Sequence, residues 1–233
     1  MSEPPFLLVF AGPNGSGKST LTNYLIAAGI DFGKYINPDE IAAKLEMPEP
    51  QRSKQAQTIA DFQREACLTN GLSFSFETVM SHPSKVELMV RADDAGYEIT
   101  LYFVCTSDPE INIGRVENRV HRGGHDVPKE RIVARYWRTL ELLSHAALVA
   151  RRTVLLDNSA LIGYLANTML PNPKTGLRPV GELIRDGKNY QITLEADVPF
   201  WAFEYLVKPP DKLARASDGG ITLKINQKTG PLG

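Results

Sequence analysis

The chain has 233 residues, 42% of them apolar and 23% charged, with a formal net charge of −1. Such a length and composition suit one sizeable α/β core with an appendage, and exclude the disordered and fibrous classes. The near-neutral charge argues against nucleic acid as a partner, and no apolar run is long enough to span a membrane.

The opening MSEPPF is neither basic nor long enough for a signal peptide, so a cytoplasmic protein is expected. The run Phe6 to Ala11 reads as a buried strand. It leads into Gly12-Pro13-Asn14-Gly15-Ser16-Gly17-Lys18-Ser19, a complete G-x-x-x-x-G-K-[ST] pattern, then Thr20 and a helical stretch from Ser19 to Ala28. Gly12, Gly15 and Gly17 permit backbone angles closed to other residues. The amides of the turn can then face inward at the positive end of the following helix and cradle phosphate oxygens. Lys18 would reach the β- and γ-phosphates, and the Ser19 hydroxyl would ligate Mg²⁺. The expected ligand is a nucleoside triphosphate with its metal.

Further helices are expected over Pro38–Leu45, Ser53–Thr69, Ser84–Ala95, Pro109–Arg122 and Lys129–Ala150, and strands over Leu72–Glu77, Ile99–Thr106 and Thr153–Asp157. Gly29, Gly71 and Gly96 stand just past three helices, where left-handed cap residues belong. Alternating strands and helices imply a parallel sheet flanked by helices on both faces, with ligands gathered beyond the carboxyl ends of the strands. Beyond Asp157 the character changes. Val180–Arg185 and Tyr190–Ala196 flank Asp186-Gly187-Lys188-Asn189 as a hairpin (about 180–196), a short helix is expected over 199–207, and a loose tail follows. The expected division is a core over 1–170, with a lid around 115–138, and a C-terminal extension over 171–233.

Phosphoryl transfer requires an acceptor base, a metal and cations for the developing charge. Asp39, in Asn37-Pro38-Asp39-Glu40, lies one helix and one return loop beyond the glycine-rich turn and is the candidate base. A carboxylate in the first turn of a helix is also favoured by the helix dipole alone. Glu77, followed by Thr78, ends a strand and points at the ligand crevice, where it could hold the acceptor, or the metal through water. Asp157 has the pattern of a strand-end metal aspartate, but such runs are frequent. Arg115, Arg119 and Arg122 share one helix face, as do Arg131, Arg135 and Arg138 on the next, with HRGGHDVP joining the two. Together they read as a lid whose guanidiniums neutralise a transferring phosphoryl group. Cys67 and Cys105 read as buried thiols, and the four histidines show no metal-ligand spacing.

The segments AGPNGSGKST, NPDEIA, GLSFSFET and RVENRVHRGGHDVPKERIVARYWR, in this order over about residues 6–160, resemble the zeta-toxin family of P-loop kinases. The resemblance implies a P-loop kinase fold and ATP-dependent phosphorylation of UDP-N-acetylglucosamine at its sugar 3′-hydroxyl, with Mg²⁺. It also implies a small antitoxin protein that blocks the ATP site. Carried over by position, Lys18 and Ser19 serve ATP and Mg²⁺, Asp39 is the base, and Glu77, with Thr78 and Arg119 beside it, holds the acceptor. Arg122 and Arg135, thirteen residues apart, match the two charge-stabilising arginines, and Asn158 and Ser159 lie near the nucleotide base. A metabolic kinase of the nucleoside, shikimate or gluconate type shares loop, lid and size, but no acceptor signature for one is present. A switch or motor ATPase would need an N-K-x-D motif or an Asp-Glu pair, and Asp157-Asn158 supplies neither.

Overall fold

In the computed structural model, which describes residues 3–124, 126–159, 176–208 and 221–226, the first apolar run forms β1 (Phe6–Ala11). Leu7, Val9 and Ala11 enter one core and Phe10 the other, as a strand covered on both faces requires. The chain continues through α1 (Lys18–Ala27), β2 (Lys34–Ile36), α2 (Pro38–Ala42), α3 (Gln51–Thr69) and β3 (Phe74–Thr78). It then forms α4 (Ser84–Asp94), β4 (Glu98–Cys105), α5 (Pro109–His121), α6 (Lys129–Glu141), α7 (Leu143–Val149) and β5 (Arg152–Asp157). These strands are parallel and stand in the order β2-β3-β1-β4-β5. The winding leaves β1 on one side and crosses back over it to reach β4. A crevice therefore opens beyond the carboxyl end of β1, where the direction reverses.

Helices cover both faces. Leu21 of α1 joins Phe10, Phe32, Val104, Leu156 and Leu177 in the smaller core, where Phe10 stacks between Phe32 and Tyr102 with centroids 5.1 Å apart on each side. The larger core takes Ala60 and Cys67 from α3, Leu88 and Met89 from α4, and Ala146 and Ala147 from α7. Helices α5 and α6 pair over a small core of their own, built from Ile113, Val116, Val127 and Ile132. Asp108 starts α5 as a side-chain cap, accepting from the Glu110 amide at 2.8 Å, and Pro109 follows at the position where its missing N–H costs nothing.

The C-terminal segment extends the same sheet. Strands β6 (Arg178–Asp186) and β7 (Asn189–Glu195) add an antiparallel hairpin to β5, turning at Gly187 with φ +58°. Here the expected hairpin is present. After α8 (Phe200–Ala202) the chain winds on as a π-helical turn over Phe203–Val207, which takes the place of an expected regular helix. The tail departs from expectation: Ile221–Asn226 forms β8, parallel to β7 and last in an eight-stranded sheet among the described residues. Residues 209–220 and 227–233 of that tail lie outside the described residues, as do 160–175.

Two other departures have physical causes. The helix expected over Lys129–Ala150 is broken at Leu142; α7 packs into the main core, while α6 gives Ile132 to the lid core and Tyr136 and Leu140 to the main core. No Gly or Pro marks the break; tertiary packing sets it. Strand β2 has three residues, too few for a period-two pattern to be visible.

Leu183 lies in the middle of β6, fully buried, between Thr153 of β5 and Ile192 of β7. Leu183→Ala is expected to cost about 2–5 kcal/mol in denaturant titration while leaving a single transition. Two separate transitions would show that the hairpin folds apart from the core.

Candidate functional site

The loop from Gly12 to Gly17 is pressed against three neighbours, and at each point the space excludes a side chain. A Cβ on Gly12 would stand 2.0 Å from the Val104 carbonyl oxygen, one on Gly15 2.8 Å from that of Asn112, and one on Gly17 2.3 Å from Asn158 Nδ2. All three residues have positive φ. Two asparagines tie the loop from outside. Asn112 Nδ2 donates to the Asn14 carbonyl at 2.6 Å, and Asn158 Nδ2 to that of Ser16 at 2.7 Å. Gly17 caps α1 without a side-chain hydrogen bond, and no acidic residue stands in the first turn. The first amides of α1 therefore keep their positive end open toward an anion.

Lys18 folds back over this loop, donating to the carbonyls of Gly12 at 2.8 Å and Pro13 at 2.9 Å. Burial draws its ammonium down to about 8, against the raising effect of the Glu77 and Asp39 charges. The Ser16 hydroxyl is buried with no hydrogen-bond partner among the described residues. Open amides, a desolvated lysine and an unpartnered hydroxyl in one concave turn fit a polyphosphate.

Glu77 closes β3 beside the loop. Its Oε2 accepts from Ser19 Oγ at 2.9 Å, and its Oε1 from Thr22 at 2.7 Å and Tyr35 at 2.8 Å. Burial and the Glu77 charge push the Tyr35 phenol up, so it stays a donor. Ser19 and Glu77 thus set two hard oxygens side by side, a donor set suited to Mg²⁺. The strand end is fixed further on: Thr78 Oγ1 accepts from the Met80 amide at 2.9 Å, and Met80 is held at φ 54°. Thr139 of α6 donates to the Val79 carbonyl at 2.7 Å, which fastens the lid's second helix to this turn.

One cleft of about 1570 Å³ runs from the glycine-rich loop along α2 and α3 and under the lid. It is larger than the roughly 300–1,000 Å³ of a typical single-ligand pocket. Asn14, Gly15, Gly17, Lys18, Ser19 and Thr20 line one end, while Gly12, Pro13 and Ser16 form the backing of the loop. Asp39 lines the floor; its amide is fixed by Asn37 Oδ1 at 2.9 Å, which caps α2. Glu77, Thr78 and Asn158 line it as well.

The lid brings together a different set of arginines from the one that the thirteen-residue spacing suggests. Arg115 and Arg119 of α5 and Arg131 and Arg135 of α6 line the cleft. Arg122 caps the end of α5, exposed and outside the lining, and Arg138 bonds back to its own helix at Ala134. Arg135 Nη1 approaches Asn14 Oδ1 at 3.5 Å, and burial, with the charges of Arg131 and Arg138, lowers its pKa. The Arg119 charge is felt at Lys18.

At the phosphate-loop end, Arg115 and Asp157 have contacts that sequence reasoning did not give them, and Asn112 was missed. Arg115 is half-buried, donates to the Asn158 carbonyl at 2.7 Å and keeps Nη1 unpartnered among the described residues. Asp157 is buried, accepts from Ser159 Oγ at 2.6 Å and Trp201 Nε1 at 3.4 Å, and faces Arg178 at 3.9 Å. It belongs to the framework of the site and does not line the cleft. Asn112 has no local signal beyond its place on the helix after β4. Cys67 and Cys105 are free and buried, and no cluster with metal-ligand composition occurs among the described residues. His125 lies outside the described residues. No helix is long and apolar enough to cross a membrane among them.

Comparison with known proteins agrees with this geometry. The zeta toxin family model matches residues 1–159. An uncharacterised protein of Haemophilus influenzae is 29% identical over 135 residues, covering 55% of this chain and 91% of its own. Among solved structures, the AvrRxo1-ORF1:-ORF2 complex with ATP superposes with a TM-score of 0.57 at 15% identity, covering 77% of this chain and 58% of that one. The PezAT chromosomal toxin-antitoxin system of Streptococcus pneumoniae gives 0.49 at 16% identity, covering 67% and 69%. This chain spans 45% to 59% of the first solved chains that it matches. The chain belongs to the zeta toxin family.

Asn158→Ala removes the bond to Ser16 and leaves a gap beside Gly17. Affinity for a nucleoside triphosphate, measured by calorimetry, is expected to fall about tenfold with the fold retained. Unchanged affinity would mean that the loop holds its shape without this contact.

Proposed function

We propose that this zeta toxin family chain is a kinase that moves the γ-phosphoryl group of ATP, with Mg²⁺, to a hydroxyl of a nucleotide sugar. The family resemblance implies the sugar 3′-hydroxyl of UDP-N-acetylglucosamine as the acceptor. The observation that carries the reading is the convergence on one cleft of a phosphate cradle, an oxygen pair, a carboxylate and arginines from two facing helices. The likeness to a fold solved with ATP supports ATP as the donor.

In this reading the amides of Gly15 to Ser19 bind the β- and γ-phosphates, and Lys18 swings from its carbonyl partners onto them. Ser19 and Glu77 would hold Mg²⁺, which when bound supplies positive charge across the phosphate oxygens. Asp39 accepts the proton of the acceptor hydroxyl as that oxygen bonds to the γ-phosphorus, and the bond to the leaving ADP oxygen breaks. Arg119 and Arg135, from opposite sides of the lid, bear on the equatorial oxygens; the place of Arg119, and not Arg122, in the cleft lining supports giving the role to Arg119. A small antitoxin covering the ATP site and a cytoplasmic setting belong to the same proposal, the latter supported by two buried free thiols.

Incubation with ATP and a panel of UDP-sugars, nucleosides and sugar acids, read by mass, tests the acceptor. A gain of one phosphate on a UDP-sugar is expected; a gain on a nucleoside or sugar acid alone would replace the acceptor, and none at all would sink the kinase reading. Lys18→Ala is expected to lower turnover by about 10²–10³-fold or more with little loss of stability. Asp39→Asn should reduce kcat by roughly 10²-fold or more and leave ATP affinity near normal. If only KM for ATP rises, Asp39 belongs to the nucleotide.

For the lid, Arg119→Ala and Arg135→Ala should lower kcat strongly with modest change in nucleotide affinity, and lysine should restore little, because an ammonium cannot reproduce a planar fork. Arg122→Ala should be mild. Steady-state kinetics with affinities measured separately decide this; an Arg122 effect as large as that of Arg119 would return the role to Arg122.

A further inference from the structure

The end of the cleft farthest along α3 holds a charge arrangement that phosphoryl transfer from ATP does not use. Arg64 of α3 has a side chain only 2% exposed, and Lys85 of α4 one that is 18% exposed. Both bond to a single oxygen: Arg64 Nη2 lies 2.5 Å and Lys85 Nζ 2.7 Å from Asp61 Oδ1. The guanidinium also lies over the Phe76 ring, 5.2 Å from its centroid, with Nε buried and unpartnered among the described residues.

Two desolvated cations therefore share one half-exposed carboxylate, in a place where burial disfavours their charge. Of the other neighbouring acids, Glu65 also acts on Lys85 and Arg64, but none of them hydrogen-bonds to either cation among the described residues. Glu65, one turn along α3, is bound by both Arg91 nitrogens at 2.6 and 2.8 Å, and the exposed Glu87 acts on Arg91 as well. On the cleft side, Glu49 pairs with Arg52 at 2.9 Å. Burial lowers the Lys85 pKa despite its bond to Asp61, whereas hydrogen bonds from Lys85 and Arg64 outweigh burial at Asp61 and bring it down to about 2. Asp61 stays ionised, and at Lys85 burial outweighs the Asp61 and Glu65 charges. A cavity of about 340 Å³ opens at this point; it shares Asp61, Arg64, Ser84 and Lys85 with the main cleft, and Glu65, Glu87 and Arg91 line its other side.

We propose that Arg64 and Lys85 form an oxyanion-binding subsite, in which a phosphoryl or carboxylate group of the acceptor docks between them and so presents its hydroxyl toward Asp39. The proposal rests on the kinase reading and adds the residues that select the acceptor. Asp61 acts as a built-in competitor: it holds the two cations in place when the subsite is empty, and its charge opposes the incoming anion. Ser84, whose hydroxyl sits 3.1 Å from His82 Nδ1, lines both cavities and offers a further hydroxyl to the same group.

The test uses the full chain saturated with Mg²⁺ and AMP-PNP, so that the phosphate loop is filled, and titrates it calorimetrically with uridine diphosphate, inorganic phosphate, glucuronate and glucose. Binding of uridine diphosphate and phosphate, without glucose, is expected; glucuronate binding in their place would identify a carboxylate as the docked group. Lys85→Gln should weaken anion binding tenfold or more and Lys85→Arg should retain most of it. Asp61→Asn should tighten it several-fold, the opposite of what a purely structural ion pair would give. The proposal is overturned if no anion binds the saturated protein, if Lys85→Gln leaves affinity unchanged, or if Asp61→Asn weakens it as Lys85→Gln does. Failure of AMP-PNP itself to bind would count against the kinase reading, whereas failure of the anions on saturated protein counts against the subsite alone.

Discussion

The site depends on a loop that has no room for side chains. Between β1 and α1 the backbone turns so close to the Val104 carbonyl, the Asn112 backbone and the Asn158 amide that glycine is required at three points. That closeness is what aims the amides inward, since a loop standing off from its neighbours would turn its polar groups to water. Each neighbour comes from a different element: the end of β4, the first turns of α5, and the end of β5. The geometry of the cradle is therefore a property of the sheet, and the loop sequence alone does not create it.

From the cradle outward, charge is arranged in opposed layers. Glu77 gathers three hydroxyls and no ion-paired cation among the described residues, so its negative charge stays directed at the loop mouth and at Lys18. Across from it lie the lining arginines of α5 and α6, and the charges of Arg131 and Arg138 on its own helix add to burial in lowering the pKa of Arg135. Like charges held close together raise the energy of the empty cleft, and a polyphosphate would relieve that cost. The small separate core under the two lid helices lets them keep their pairing under this repulsion.

Much of the core was legible because its signals are local. An apolar run before a glycine-rich turn and glycines after helices each report on a few adjacent residues, and each falls where the sequence places it. The partners of Glu77 were not legible, since Thr22 and Tyr35 reach it only through the packing of α1 and β2 against β3. Which of Arg119 and Arg122 lines the cleft was not legible for a related reason. Both belong to one helical face by spacing, yet α5 ends at His121, so Arg122 leaves that face. Strand β8 alternates Ile221, Leu223 and Ile225 with polar residues, a period-two signal obscured by the polar residues around it.

The family match ends at residue 159, but the physical site does not. Asp157, the last residue of β5, is held from beyond that limit by Trp201 and Arg178, and it in turn fixes Ser159. Between them Asn158 joins the Ser16 carbonyl, the Cys105 carbonyl and Arg115 in one hydrogen-bonded knot. Leu177 completes the packing beside Gly17. The hairpin and the turn after it thus bear on the same residue that holds the phosphate loop and one lid arginine. A strand end that carries this many constraints cannot be left as an open edge, and the antiparallel hairpin gives β5 a paired neighbour on that side. The segment outside the family match is therefore part of what holds the nucleotide end of the cleft in shape.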